Sequence, residues 1–162
     1  MFKKMFTRFS KVVAAGLVLS FMFLVPGAEA SHWGLSGGLQ THDPTIVRES
    51  GNTWWSASTG TGIGMKYSTN GGKTWTDGLP IFSQPLSWWK KYAPNMTTND
   101  VWAPDLEYYR GRYYCYYSVS EFGKNNSAIG LVSCSSISKG DWRDDGVVLY
   151  SRYGSSKFNA ID

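Results

Sequence analysis

WAPDLEYYRGRYYCYYSVSEFGKNNSAIGLVSC, residues 102–134, sets three strand-like runs in series. Leu106–Tyr109, Arg112–Ser118 and Ala128–Ser133 are rich in aromatic and β-branched residues, the types that suit a pleated, half-buried surface. The dipeptide Arg110-Gly111 and the hexapeptide EFGKNN (121–126) read as the turns between them. Val147–Tyr150 supplies a fourth run. Upstream, Pro44–Arg48, Thr53–Ala57, Gly64–Ser68 and Leu79–Phe82 form a matching set, joined by turns such as Glu49-Ser50-Gly51-Asn52. No stretch sustains a 3.6-residue apolar period, aromatics make up 16% of the chain and there are 18 glycines. That combination predicts an all-β protein of short strands and Gly-rich turns.

Two four-stranded meanders in series have the form of propeller blades, and a repeat should show in the residues that open each set. Asp43 opens the first, in THDPTIV, and Asp105 the second, in WAPDLEY. Asp162, in FNAID, stands where a third would begin. The separations are 62 and 57 residues, somewhat more than the ~40–50 of the commonest propeller repeats. In a propeller the first strand of every blade lines the central channel and all first strands run the same way. Carboxylates just ahead of those strands would gather at one mouth of the channel. For any single Asp, a turn-capping role is the alternative.

The N-terminus carries Lys3, Lys4, Arg8 and Lys11, then a largely apolar run from Val12 to Val25, Pro26 and the triplet Ala28-Glu29-Ala30. That order predicts a secretory signal over residues 1–30, cleaved before Ser31. The fourteen apolar residues fall short of the roughly 20 a membrane-crossing helix needs, so no membrane association is expected after cleavage. Removal takes four of the 16 basic and one of the 12 acidic residues, leaving 12 against 11. The basicity is therefore an export feature, and no nucleic-acid partner is expected. Residues 31–162 form the expected mature domain.

Two cysteines, Cys115 and Cys134, flank a hairpin whose expected centre near Lys124 and Asn125 would set them opposite each other. A cross-strand disulfide suits an exported protein; two buried free thiols packing as small apolar groups is the other reading. The segment Pro85–Val101 reads as a long aromatic loop. Trp88, Trp89, Tyr92 and Trp102 could present ring faces to a sugar, or Trp88 and Trp89 could pack between blades.

At THDPT, WAPDLEYYRGRYYCYYSVS, SAIGL and FNAID, in this order and spacing, the chain resembles glycoside hydrolase family 43, and within it the endo-1,5-α-L-arabinanases. The resemblance covers residues 40–162. It implies a five-bladed β-propeller, of which about the first two blades and the start of the third are present. It also implies inverting hydrolysis of arabinofuranosyl linkages in plant arabinan, a secreted location and a monomer when complete. Exo-arabinanase and β-xylosidase activities occur in the same family. Matched position by position, Asp43 corresponds to the general base. Asp162 corresponds to the aspartate that modulates the pKa of the general acid. Asn159, Ala160 and Ile161 lie in the same substrate-contacting turn, Gly123 is where backbone approaches the sugar, and Trp102 is a sugar platform.

An inverting glycosidase needs a carboxylate base and a carboxylic acid about 6.5–9.5 Å apart, with a water between base and anomeric carbon. A negative charge nearby keeps the acid protonated. The family's acid is a glutamate downstream of the position matching Asp162, so the expectation is a chain that holds base and modulator without proton donor, inactive alone. Glu107 and Glu121 do not sit in the acid's motif. Family members often hold calcium in the channel. Its ligands come mostly from histidine-bearing segments not found here, and His32 and His42 make no recognisable metal site.

STNGGKTW (68–75) resembles the Asp-box turn of sialidases and other propellers, with Asn70 in the aspartate position. The turn is structural and shared across folds, so it supports a propeller more than a substrate. No arginine cluster or tyrosine nucleophile motif accompanies it. A non-catalytic carbohydrate-binding propeller is the alternative from a different class.

Overall fold

The structure is a computed structural model that describes residues 34–162. The expected leader, residues 1–30, and His32 lie outside the described residues. Two sheets dominate, each a four-stranded antiparallel meander with one two-residue strand added, which in the first sheet runs parallel to its neighbour. The first takes in β1 (Ser36–Gly37), β2 (Thr45–Ser50), β3 (Thr53–Ser58), β5 (Gly64–Ser68) and β6 (Thr74–Asp77), in the spatial order β1-β6-β5-β3-β2. The second takes in β4 (Gly60–Thr61), β7 (Asp100–Tyr109), β8 (Arg112–Ser120), β9 (Ser127–Cys134) and β10 (Arg143–Ser151), in the order β10-β9-β8-β7-β4. The all-β expectation holds, with each run of four main strands folded as a meander.

Local chemistry accounts for the strand boundaries. Arg110 and Gly111 both take positive φ, 46° and 85°, as a two-residue hairpin turn requires, and Tyr109 pairs with Arg112 across it. The expected fourth strand of the first set, Leu79–Phe82, is not one: the strand is Thr74–Asp77. The reason lies in the Asp-box turn, which closes tightly. Asn70 Oδ1 accepts the Thr74 N–H at 2.9 Å, and Ser68 Oγ accepts the Gly72 N–H at 3.0 Å. The chain is thereby sent straight back to pair Tyr67 with Thr76.

The segment expected as a loop, Pro85–Val101, contains the short helix α1 (Trp89–Tyr92). Trp89 is fully buried, edge-on to Phe82 at 5.1 Å between ring centroids, and its indole N–H reaches the Tyr117 hydroxyl at 3.3 Å. Trp88 donates to Asp144 Oδ2 at 3.1 Å, and Tyr92 stacks obliquely on Tyr150. These three rings are packing elements, which decides the choice left open for Trp88 and Trp89. The core they join runs through Ile63, Val101, Val119 and Val132.

Cys115 pairs with Val132 and Cys134 with Tyr113. The turn spans residues 121–126, so its centre lies one residue earlier than expected and the register shifts by two. The cysteines are therefore not opposite each other; both are free and buried. Among the described residues no helix is long and apolar enough to cross a membrane.

Candidate active site

The inner strands of the two meanders are stitched together. Thr45 Oγ1, on β2, accepts the Leu106 N–H of β7 at 3.2 Å and lies 3.4 Å from Asp105 Oδ1. Just ahead of β2 stands Asp43, with φ at 48°, left-handed backbone that a residue with a Cβ seldom adopts. Its carboxylate is half-exposed. Oδ2 accepts the Thr59 hydroxyl at 2.8 Å, and His42 Nδ1 lies 2.9 Å from the same oxygen.

Asp105 does not hold the corresponding place in the second meander. Both Asp105 and Ala103 lie within β7, but it is Ala103, with φ at 41°, that shares the left-handed backbone of Asp43. Ala103 also precedes a proline, as Asp43 does, and lies at an irregularity in the β7–β8 pairing between Trp102 and Asp105. Bulges of this kind redirect the backbone beside functional sites. Asp162, with φ at 63°, is the third member. The repeat therefore runs Asp43, Ala103, Asp162, with separations of 60 and 59 residues. The expected ring of three carboxylates reduces to two, because the middle position is an alanine.

A chain of contacts joins those two. The Thr59 hydroxyl that donates to Asp43 also accepts the Ala103 N–H at 2.8 Å. The neighbouring Trp102 pairs in register with Ser118, whose Oγ accepts the Asp162 N–H at 3.0 Å. Asp43 and Asp162 are thus gathered at the same end of β7. Thr59 and Ser118 have no motif of their own in the sequence; only the 59-residue spacing between them marks them as equivalent.

The turn bearing Asp162 is anchored from the second meander. Asn125 Nδ2 donates to the carbonyls of Ser156 and Phe158, both at 3.0 Å, and Ser127 Oγ donates to Asn159 Oδ1 at 2.6 Å. Ala160 is buried, with its N–H bound to Ser151 Oγ at 2.9 Å, so this member of the expected substrate-contacting turn faces inward. Asn159 is exposed and Ile161 partly so. Gly123 takes φ of 76°, and a Cβ there would meet open space. The glycine is thus required by backbone conformation rather than by crowding within the described residues. Beside it Phe122 is 94% exposed and stands edge-on to Trp102, 6.5 Å between centroids. This pair forms an aromatic surface next to Ala103.

Glu121, at the base of the same turn, is buried. Its Oε1 accepts the Asn95 N–H at 2.8 Å and the Asn95 side-chain amide at 3.1 Å, and Oε2 accepts Asn126 Nδ2 at 3.1 Å. Burial pushes this carboxyl upward, but those bonds together with the Lys124 cation outweigh it and hold it below the ordinary range. It is a structural anion, not a proton donor. No group of three or more His, Cys, Asp or Glu among the described residues could hold a metal ion.

An all-β, propeller-type scaffold with two aspartates gathered at one end of its inner strands is the architecture of a class of glycoside hydrolases. Residues 38–162 match glycosyl hydrolases family 43, and the chain belongs to that family. It is 47% identical over 168 aligned residues to the extracellular endo-α-(1→5)-L-arabinanase 1 of Bacillus subtilis, an alignment that takes in 99% of this chain and 50% of the relative. It is 38% identical to an extracellular exo-α-(1→5)-L-arabinofuranosidase of Cellvibrio japonicus, over 76% of this chain and 36% of that one. The family 43 endo-arabinanase of Bacillus licheniformis superposes with a TM-score of 0.74 at 51% identity, covering 80% of this chain and 44% of the other. The chain spans about half or less of the length of these relatives.

Proposed function

We propose that residues 34–162 are the base-bearing part of a secreted, five-bladed arabinan hydrolase that cleaves α-1,5-arabinofuranosyl linkages with inversion. The observation that carries this reading is the contact chain from the Asp43 carboxylate through Thr59 to Ala103, and from the adjoining Trp102 through Ser118 to Asp162, in a member of family 43. Asp43 takes the proton of a water as it attacks the anomeric carbon. Asp162 sets a negative charge beside the acid, so that the acid remains protonated until it protonates the departing oxygen. That acid is supplied by sequence matching the remainder of the relatives. Phe122 and Trp102 offer aromatic faces to the sugars. Relatives named as endo- and exo-acting both match, and the endo reading is preferred on the FNAID and SAIG segments. Residues 1–30 direct export, and the secreted product begins at Ser31.

The test joins the chain to the matching second half of the B. subtilis relative. This chimera hydrolyses linear arabinan, and Asp43→Asn lowers its kcat by about a thousandfold, within the range for a general base. Undiminished turnover by Asp43→Asn would remove the assignment. Binding of arabino-oligosaccharides without any turnover by the unsubstituted chimera would favour the binding-propeller alternative. N-terminal sequencing of the secreted product tests the cleavage point.

A further inference from the structure

We propose that Thr59 is a positioning residue for Asp43, holding the carboxylate so that Oδ1 is the oxygen presented to the attacking water; this rests on reading Asp43 as the base. A half-exposed aspartate side chain samples several rotamers unless something fixes it. Thr59 is well placed to do so. Its own N–H donates to the His42 carbonyl at 2.9 Å, which ties its backbone to the residue before Asp43. Its branched Cβ restricts χ1.

The direction of the hydroxyl follows from its partners. A threonine hydroxyl has one proton and two lone pairs, and an amide N–H can only donate. Because Thr59 Oγ1 accepts the Ala103 N–H at 2.8 Å, its proton is left for Asp43 Oδ2, at 2.8 Å. His42 Nδ1 lies against the same oxygen at 2.9 Å. Both interactions fall on Oδ2, while Oδ1 takes no hydrogen bond among the described residues. One oxygen is anchored and the other is open to accept a proton.

The next repeat separates this arrangement from a merely structural one. Ser118 Oγ accepts the Asp162 N–H at 3.0 Å as Thr59 accepts that of Ala103. The residue equivalent to Asp43 there is Ala103, which has no carboxylate to orient. The backbone clasp is common to both junctions, and the donation to a carboxylate is added only at the first.

In the chimera, Thr59→Val lowers kcat by about 10- to 100-fold, the scale of a small misplacement of a reacting group, and leaves KM within about twofold. Thr59→Ser, which keeps the hydroxyl, restores kcat to within about threefold of the unsubstituted protein. A crystal structure of the Thr59→Val chimera shows the Asp43 carboxylate turned to a different rotamer; Thr59→Ala takes its place if the valine variant does not fold. Full kcat in Thr59→Val, a rise in KM alone, or a serine variant as impaired as the valine one would overturn the inference. If the unsubstituted chimera does not turn over arabinan, the reading of Asp43 as base fails. The rotamer still decides the role of Thr59: a moved carboxylate supports it and an unmoved one overturns it.

Discussion

The N–H of Asp162 donates to the hydroxyl of Ser118 at 3.0 Å, the bond that Ala103 makes to Thr59 one repeat earlier. In each case a residue in left-handed backbone is caught by a hydroxyl from the preceding meander, Thr59 just beyond β3 and Ser118 within β8. Such backbone is costly for residues with a Cβ and persists where its surroundings fix it. The clasp is therefore a repeating device that sets where each strand opening sits.

Ser118→Val removes the acceptor for the Asp162 N–H in a buried position. We expect the chimera to lose about 1–2 kcal/mol of stability, as for a lost hydrogen bond that leaves a donor unpaired. Urea denaturation measures this, and a change below about 0.3 kcal/mol would mean the bond contributes little.

The meander pattern, the Asp-box turn and the place of Asp43 were legible in the sequence because each depends on local chemistry or on a short motif. The true repeat was not. Matching carboxylate to carboxylate selected Asp105, whereas the structural equivalence lies in backbone state, and Ala103 carries no side-chain signal for it. Thr59 and Ser118 were hidden for a similar reason: hydroxyls in and beside strands are common, and what distinguishes these two is a partner 44 residues further along the chain in both cases. The cysteine register differs by two residues because the turn 121–126 centres between Gly123 and Lys124, whereas pairing Cys115 with Cys134 requires a centre one residue later.

Glu49 shows how the two meanders are locked at some distance from the aspartates. Its Oε1 accepts Ser136 Oγ at 2.7 Å and the Ser138 N–H at 3.0 Å, while Oε2 accepts the Trp55 indole at 2.7 Å and the Ser138 hydroxyl. Tyr113 donates to its carbonyl at 3.0 Å. Glu49→Ala should cost about 2–3 kcal/mol, since a set of bonds to one charged group is lost together. Thermal unfolding of the chimera provides the check, and an unchanged Tm would deny the lock.

Acid should loosen the turn around Glu121. The folded protein holds this carboxyl below its ordinary value of 4.5, so the folded state binds the proton less readily than the unfolded chain. The resulting stability is complete above that ordinary value and is lost as pH falls through the lowered one. Unfolding free energy measured from pH 7 to 3 should therefore decline from about pH 5 downward, and less steeply in Glu121→Gln. Parallel pH curves for the two proteins would contradict this.

Produced alone, residues 31–162 should be poorly soluble or partly folded, and inactive on arabinan. Val148, Leu149 and Tyr150 on β10, and Leu35, Leu39 and Ile46 at the opposite side of the first meander, are each about half exposed. Clusters of large apolar side chains left in water are normally covered. Strong binding of a hydrophobic dye and absence of reducing-sugar release are expected; a monomeric, dye-silent protein that cleaves linear arabinan would contradict both halves.

The cysteines should be inert in the folded protein. The thiolate is the reactive form, and burial works against it at both positions: it pushes Cys134 up to about 12, aided by the Asp141 and Glu49 charges, and drives Cys115 higher still. Their register places Val132 and Tyr113, not each other, across the ladder, so oxidation has no short route to a bridge. A thiol reagent should therefore modify neither residue at pH 8 until denaturant is added, after which two equivalents react. Mobility on a denaturing gel should be the same with and without reductant. Rapid native labelling, or a band that shifts on reduction, would show that the β8–β9 pairing is not the one described.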